Sequence, residues 1–233
     1  MPVFLSTNSG KFPPLWAASP EGLLAVGGDL SRERLLAAYA NGIFPWYDAD
    51  TPILWWTPPE RCILRPEEAH IPRSLRRVLN SRCFSITLDT AFARVIRSCA
   101  RARRPGQKGT WIVPEMAAAY TDLHAAGYAH SVEAWRDGEL VGGLYGVALG
   151  GGFFGESMFF TAPEASKVSF VWLARLLHAW GFTLIDCQQV TDHLLRFGAY
   201  AVPRDTFMEA LGEALRLPSA PGKWVIPKGF FPL

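Results

Sequence analysis

The sequence has 233 residues, of which 49% are hydrophobic and 19% charged, and its formal net charge is +2. This balance predicts a folded core and excludes a disordered chain. No run of eighteen apolar residues could form a transmembrane helix, and the N-terminus lacks the features of a secretory signal, so we expect a cytoplasmic protein with no membrane partner. With so small a net charge, affinity for nucleic acid requires a local basic patch.

The four cysteines do not have the spacing of a metal site. Cys62, Cys83, Cys99 and Cys187 form no C-x-x-C pair, and no histidine follows them at a zinc-ligand distance. A disulfide framework is unusual in a chain with this much apolar sequence. We therefore expect reduced thiols and no bound metal.

The first sixty residues predict a small N-terminal α/β domain. A helix is expected to begin after Ser31 and to end at Gly42, because apolar residues recur between them at helical spacing. The next segment, 43–61, holds four prolines and three tryptophans, so it predicts a rigid loop with a short strand rather than a helix. We place the domain boundary at Pro58-Pro59, which gives domains 1–60 and 61–233.

The second part of the chain mixes helices with a group of strands. Helices are expected over 71–82, from Asp89 to 102, and over 114–127, with a strand at 83–88. Residues 129–160 predict three antiparallel strands, because turn sequences occur at Asp137-Gly138 and at 150–152.

A long helix at 161–181 follows, with Thr161 and Glu164 resembling a capping box. The remaining elements are a buried strand at 182–188, a short helix capped by Thr191 and a last helix at 204–217. This order predicts an α+β fold whose mixed, largely antiparallel sheet is flanked by helices. It matches the core of the N-acetyltransferase-like (GNAT) fold.

Three polar residues stand at the ends of apolar strands. Asp186 and Gln188 of LIDCQ point to one side of their strand, and Ile185 and Cys187 point to the other. Glu156 of GESMF ends a glycine-rich strand that a ligand could approach closely. Either these groups converge in an active cleft, or they are caps and salt bridges that hold loops.

Several apolar residues near these polar groups could line a pocket for an apolar side chain or simply form core. Such a pocket separates neighbouring aliphatic groups by only about 1–3 kcal/mol per methylene, so broad specificity is expected. The residues concerned are Leu144, Phe153, Met158, Phe170 and Ile185.

Arginines dominate residues 73–108, where Asp89 is the single acidic residue. Such a run is either a solvated face or a surface that binds phosphates, and its one-sided charge favours the second. The residues are Arg73, Arg76, Arg77, Arg82, Arg94, Arg97, Arg101, Arg103, Arg104 and Lys108. No nucleophile motif, P-loop or HExxH accompanies them, and the five histidines are scattered.

Taken together and in this order, GIFPW, WWTPP, GTW, GESMF and LIDCQ resemble the leucyl/phenylalanyl-tRNA–protein transferase family over nearly the whole chain. The resemblance implies a monomeric bacterial enzyme with a GNAT domain and no cofactor. It would move Leu or Phe, and Met less well, from aminoacyl-tRNA to proteins with N-terminal Arg or Lys, marking them for N-end rule degradation.

The resemblance also assigns roles to individual residues. Asp186, Gln188 and Glu156 match the catalytic positions, and Trp46 and Trp111 match aromatic residues around the 3′-terminal adenosine of the tRNA. The five apolar residues match the aminoacyl side-chain pocket, although a Met is usual where this chain has Leu144. Arg73, Arg76, Arg77 and Arg82 would contact the tRNA backbone, with neutral Asn80 and Ser81 where a further basic pair is expected.

Two mechanisms remain open at this stage. Asp186 and Gln188 could polarise and deprotonate the attacking amine, or they could orient it while ribose hydroxyls carry the proton.

Three other functions are weaker alternatives. A coenzyme-A-dependent acetyltransferase needs a glycine-rich loop to bind pyrophosphate, and the segment before the long helix lacks those glycines. A catalytically silent tRNA-binding module would have no reason to place acidic residues at strand ends. A transferase acting on cell-wall peptide would not account for the GIFPW and WWTPP segments.

Overall fold

The computed structural model describes residues 3–6, 11–102 and 110–233. The strands are β1 Val3–Leu5, β2 Leu23–Gly27, β3 Phe44–Pro45, β4 Leu54–Trp56, β5 Glu60–Leu64, β6 Ser85–Leu88, β7 Ala129–Arg136, β8 Glu139–Leu149, β9 Gly152–Phe160, β10 Leu184–Gln188 and β11 Tyr200–Pro203. The helices are α1 Arg32–Ala40, α2 Arg73–Ser81, α3 Phe92–Arg101, α4 Pro114–Ala125, α5 Ala165–Ala179, α6 Asp192–Leu195 and α7 Arg204–Ala214.

The N-terminal strands form a sheet of their own, in the order β1-β2-β4-β3. Strand β1 runs parallel to β2, and the other pairs are antiparallel. Trp55 is fully buried on β4, and its indole Nε1–H donates to the carbonyl oxygen of Gly27 at 2.9 Å. The proline- and tryptophan-rich segment is thus fixed by sheet pairing and by a buried indole, as its composition predicts for a rigid segment.

The second sheet has seven strands in the order β11-β5-β10-β9-β8-β7-β6. Only the β9–β10 pair is parallel among its described pairs, so the expected mixed, largely antiparallel sheet is confirmed. The two sheets divide the chain between Trp56 and Glu60. One hydrophobic cluster nevertheless includes residues of both sheets, and the domain boundary at residue 60 stays a prediction.

The seven-stranded sheet has a hydrophobic cluster on each face. Side chains alternate along β9, where Phe153 belongs to the cluster under α5 and Phe154 to the cluster under α1, α3, α4 and α7. Ile185 and Leu184 divide in the same way on β10. We call these the α5 face and the α4 face.

Most of the predicted elements are confirmed, and two predicted helix starts are wrong. Thr191 caps α6 by accepting the N–H of Leu194, as expected. The long helix α5 begins after Glu164, whose φ is +68°, and the hydroxyl of Thr161 bonds to Val141 instead of closing a capping box. Helix α3 begins at Phe92 rather than Asp89, because the Asp89 carboxylate accepts hydrogen bonds from the strand β7.

Candidate functional site

The site lies where β9 and β10 diverge. The two strands pair from Gly152 to Phe154 and from Leu184 to Asp186, and β9 then continues to Phe160 beside β8 alone. Glu156 and Gln188 stand just beyond the last pair, one on each strand. A register shift at Asp186/Gln188 and a φ of +60° at Gln188 turn the end of β10. Side chains of two strands therefore meet at an opening in the sheet.

Three donors hold the Glu156 carboxylate. The phenol of Tyr39 on α1 donates to Oε1 at 2.7 Å, and the phenol of Tyr120 on α4 donates to Oε2 at 2.9 Å. The amide Nε2 of Gln188 donates to Oε1 at 3.0 Å. The two tyrosine hydroxyl oxygens also contact each other. Glu156, which is partly exposed, is thus fixed by elements far apart in the sequence.

Burial raises the pKa of Glu156 to about 7, because the site removes most of the solvation of its charge. The hydrogen bonds from Tyr39 and Tyr120 act in the opposite direction, the nearby Asp186 raises the pKa further and Arg61 lowers it. The pKa values of both phenols are raised well above 10, mainly by burial, with the charge of Glu156 adding to the effect. At neutral pH the site therefore contains phenol donors and a carboxyl group close to its midpoint.

Asp186 faces a buried arginine. Its two carboxylate oxygens accept from Nε and Nη2 of Arg61 at 2.9 and 2.6 Å, and both side chains are at most 1% exposed. The guanidinium lies 4.6 Å from the ring centroids of both Phe44 and Phe207. Asp186 Oδ1 also accepts the backbone N–H of Gln188 at 2.8 Å. Asp186 is therefore neutralised and held, and it fixes the backbone of Gln188.

The five residues of the expected side-chain pocket come together on the α5 face. Four of them are buried in its hydrophobic cluster, and Met158 is partly exposed and packs against it. The ring of Phe170 on α5 lies 4.8 Å from that of Phe197. The hydrogen-bonded carboxylate network lies on the opposite α4 face, and the opening between β9 and β10 is between the two groups.

Trp46 and Trp111 are both partly buried against the cluster of the α4 face. The carbonyl oxygen of Trp46 accepts from the indole of Trp56 at 2.7 Å, and the two rings lie 5.9 Å apart. Trp111 precedes α4, the helix that carries Tyr120. Both tryptophans are thus associated with the same layer as Glu156.

The basic run is divided between two layers. All four arginines assigned to the tRNA backbone are exposed on or just after α2, whose apolar residues pack on the α5 face. Arg94, Arg97 and Arg101 are exposed on α3, which packs on the α4 face. Arg103, Arg104 and Lys108 lie outside the described residues. The run therefore does not form one continuous helix face.

Sequence reasoning missed Tyr39, Tyr120 and Arg61. Arg61 follows the exposed Glu60 at the start of β5, where a charged residue gives no local sign of burial. Its buried partner, Asp186, is known only from the structure. The tyrosines carried no signal either, because a tyrosine on an amphipathic helix is ordinary core material until its hydroxyl partner is known.

The described residues contain neither a cluster of metal-ligand side chains nor a membrane-spanning helix. Within the part of the chain that the structure describes, no three His, Cys, Asp or Glu side chains group as metal ligands. No helix among the described residues is long and apolar enough to cross a bilayer.

Comparison with known proteins identifies the family. A family model described as leucyl/phenylalanyl-tRNA protein transferase matches residues 63–212, and a model of that family's N-terminal domain matches residues 28–59. This chain belongs to the leucyl/phenylalanyl-tRNA–protein transferase family. The resemblance given by the sequence motifs and the expected reaction class, aminoacyl transfer, are confirmed.

Relatives cover nearly the full chain. A leucyl/phenylalanyl-tRNA–protein transferase of Nitratidesulfovibrio vulgaris strain DP4 is 61% identical over 95% of this chain and 94% of its own. That of Oleidesulfovibrio alaskensis is 59% identical over 100% and 96%, and that of Myxococcus xanthus is 55% identical over 96% and 97%.

Proposed function

We propose that this enzyme transfers Leu or Phe, and Met less well, from aminoacyl-tRNA to the α-amino group of proteins that begin with Arg or Lys. The family membership supports the substrate classes. The observation that supports the mechanism is the Glu156 carboxylate, which Tyr39, Tyr120 and Gln188 hold at the opening between β9 and β10.

Glu156 takes the proton of the attacking amine in this proposal. A peptide α-ammonium has a pKa of roughly 7.7–8.0, and a base whose pKa is raised to about 7 receives its proton at little cost. The neutral amine then attacks the ester carbonyl and a C–N bond forms. The bond to the ribose oxygen breaks, and that oxygen takes the second proton that the amine loses. The aminoacyl ester is already activated, so positioning supplies much of the rate.

Asp186 is a positioning residue in this scheme. Its charge is balanced by Arg61, and its hydrogen bond to the Gln188 N–H fixes the turn that presents the Gln188 side chain. Gln188 in turn orients Glu156 through Nε2 and keeps its amide oxygen for the substrate amine. Of the two acids, Asp186 is paired with Arg61, so Glu156 supplies the negative potential that favours a cationic N-terminal residue.

The aminoacyl side chain enters the cluster on the α5 face. The ester of the substrate lies beside Glu156 on the α4 face, whereas its amino-acid side chain lies in the pocket on the α5 face. The substrate therefore passes through the opening between β9 and β10. The pocket residues are Phe153, Met158, Phe170, Ile185 and Leu144. This path supports a GNAT-like arrangement, in which substrates meet where two parallel strands separate.

The remaining assignments follow the same proposal. Trp46 and Trp111 stack on the terminal adenosine, as aromatic rings do with unpaired bases. Arg73, Arg76, Arg77 and Arg82 contact the tRNA backbone. The chain acts in the cytoplasm as a monomer, in two domains that meet near residue 60, and its products enter N-end rule degradation.

The test is transfer of radiolabelled Leu, Phe or Met from charged tRNA into acid-insoluble protein. Acceptors begin with Arg, Lys or Ala, and an N-acetylated Arg acceptor is the matched control. We expect label only with free N-terminal Arg or Lys, a strong deficit for Asp186→Ala, and less label from Met. Equal labelling of the Ala acceptor would reject the acceptor preference, and label on the acetylated protein would reject α-amino attack.

A further inference from the structure

Two thiols lie beside the site without any part in the proposed mechanism. Cys187 stands between Asp186 and Gln188 at the irregular end of β10, and Cys62 lies on the neighbouring antiparallel strand β5. All four cysteines are in the described part of the chain, and none is bridged. This pair is distinguished from Cys83 and Cys99 by its contact with the strand that holds the site.

The strand register brings the two sulfurs together. Cys62 is the partner of Gln188, and Ile63 is the partner of Asp186, so Cys187 occupies the extra position opposite them. Both cysteine side chains belong to the α5 face, where Cys62 is buried in the cluster and Cys187 packs against it. Cys187 is the chain neighbour of Gln188, the residue that faces Cys62, so the two cysteines are adjacent across the β5–β10 pair.

The thiols also hydrogen-bond to each other. The contact with Cys187 lowers the pKa of Cys62, and the contact with Cys62, with burial adding to it, raises the pKa of Cys187. Cys62 is thus the stronger nucleophile and is shielded, whereas Cys187 is partly exposed. This asymmetry is that of a nucleophilic thiol next to a resolving thiol.

We infer that Cys62 and Cys187 form a peroxide-sensitive dithiol whose oxidation to a disulfide switches off the adjacent site. Hydrogen peroxide oxidises the Cys62 sulfur, the stronger nucleophile of the two, to a sulfenic acid and is reduced to water. The Cys187 sulfur then attacks the sulfenic sulfur, the S–S bond forms, and the hydroxyl leaves as a second water with the Cys187 proton. In total, two thiols lose two electrons and two protons, and one peroxide becomes two waters.

The loss of activity follows from the position of Cys187. A bond to Cys62 draws the extra residue of β10 toward β5, and Gln188 is attached directly to it. The Gln188 contacts to Glu156 and Asp186, at 3.0 and 2.8 Å, then break or lengthen. Displacement of a positioning group by about 1 Å can cost a hundredfold in rate, so we expect a reversible loss of about ten- to a hundredfold.

The experiment treats the full-length protein with hydrogen peroxide and follows two quantities. Mass spectrometry of peptides measures loss of two hydrogen masses in a Cys62–Cys187 linked species, which does not depend on what reaction the enzyme catalyses. Transfer of labelled Leu is measured in parallel, before and after dithiothreitol. We expect the linked peptide and the activity loss to appear together and to be reversed together.

Variants separate this inference from general oxidation. Cys62→Ala should prevent both the linkage and the reversible loss, whereas Cys83→Ser, at an exposed thiol distant from the site, should change neither. If Cys62→Ala folds poorly, binding of phenylarsine oxide by the wild-type protein, which requires two adjacent thiols, is the second measurement. Absence of the linked peptide together with no arsenical binding would overturn the dithiol; linkage without loss of transfer would overturn the switch.

Discussion

The two faces of the seven-stranded sheet show different kinds of specificity. On the α5 face, buried apolar side chains such as Phe153 and Ile185 need only neighbours of suitable shape. On the α4 face, Glu156, Tyr39 and Tyr120 need particular donors and acceptors, because an unpaired buried polar group costs about 1–3 kcal/mol. Under the proposed function, the α5 face sets which side chain is accepted, and the α4 face sets whether transfer takes place.

The largest effect is expected for Glu156→Gln, which keeps the shape of the side chain and removes the base. The turnover number for Leu transfer should fall about 10²–10⁴-fold, the usual contribution of a general base. The matched control is Glu213→Gln, an exposed carboxylate on α7, which should retain wild-type turnover. Turnover of Glu156→Gln within twofold of wild type would exclude Glu156 as the base and leave the ribose hydroxyls to carry the proton.

A second large effect concerns stability on the same face. Arg61→Met leaves Asp186 buried and unpaired, so the free energy of unfolding in urea should fall by about 3–5 kcal/mol. Arg61→Met combined with Asp186→Leu should recover most of that loss, because an apolar pair replaces the ion pair, yet transfer should stay low because Gln188 has lost its anchor. A double variant with normal transfer would show that Asp186 does not position Gln188.

The third effect is the pH dependence that Glu156 contributes to stability. Its pKa is about 7 in the folded protein and near 4.5 in the unfolded chain, so the folded state binds the additional proton between these values. The contribution of Glu156 to the free energy of unfolding is complete below pH 4.5 and declines as the pH rises toward 7. Above pH 7 it is lost, and the total loss is on the order of 3 kcal/mol. Urea unfolding of wild type and Glu156→Gln at pH 5 and pH 8 measures it, and parallel pH dependence of both proteins would contradict the raised pKa.

On the α5 face the expected effects are smaller and concern selectivity. Ile185→Ala should enlarge the proposed pocket and change the ratio of kcat/KM for Phe over Leu by about tenfold, within the range of about 1–3 kcal/mol for small changes of an apolar pocket. Leu176→Ala, at a buried position on α5 outside the proposed pocket, should lower stability without changing the ratio. An equal change of ratio in both variants would mean that the whole cluster, rather than a pocket, sets the preference.

The smallest effect is expected at the surface. Arg77→Ala should weaken tRNA binding and reduce the slope of log K against log salt concentration by about 1, the value for one phosphate contact. Arg97→Ala is the control, because Arg97 is exposed on α3 at the other face of the sheet. If Arg97→Ala lowers the slope as much as Arg77→Ala does, the tRNA contacts both faces of the sheet, and the proposed binding surface is not limited to α2.

Local sequence patterns predicted the elements that have strong local signals. The helices α1, α4 and α5 and the three-stranded group β7–β9 follow from apolar periodicity and from glycine turns such as Gly138, whose φ is +79°. Strands β1, β2, β5 and β11 were not predicted. Strand β11, at the edge of its sheet, is only four residues long, and short strands become recognisable only through their pairing partners.

The sequence by itself determined the family, the α+β class and the identity of the polar residues at the ends of β9 and β10, because motifs and side-chain alternation are local properties of the chain. Tertiary structure alone decided which of the two acids is paired with an arginine. Arg61 and Asp186 are 125 residues apart, as Tyr39 and Glu156 are 117 apart, and hydrogen bonds between such residues depend on packing of whole layers. Arg61 balances the charge of Asp186, and burial raises the pKa of Glu156 although its tyrosine donors lower it. No local pattern contains that information.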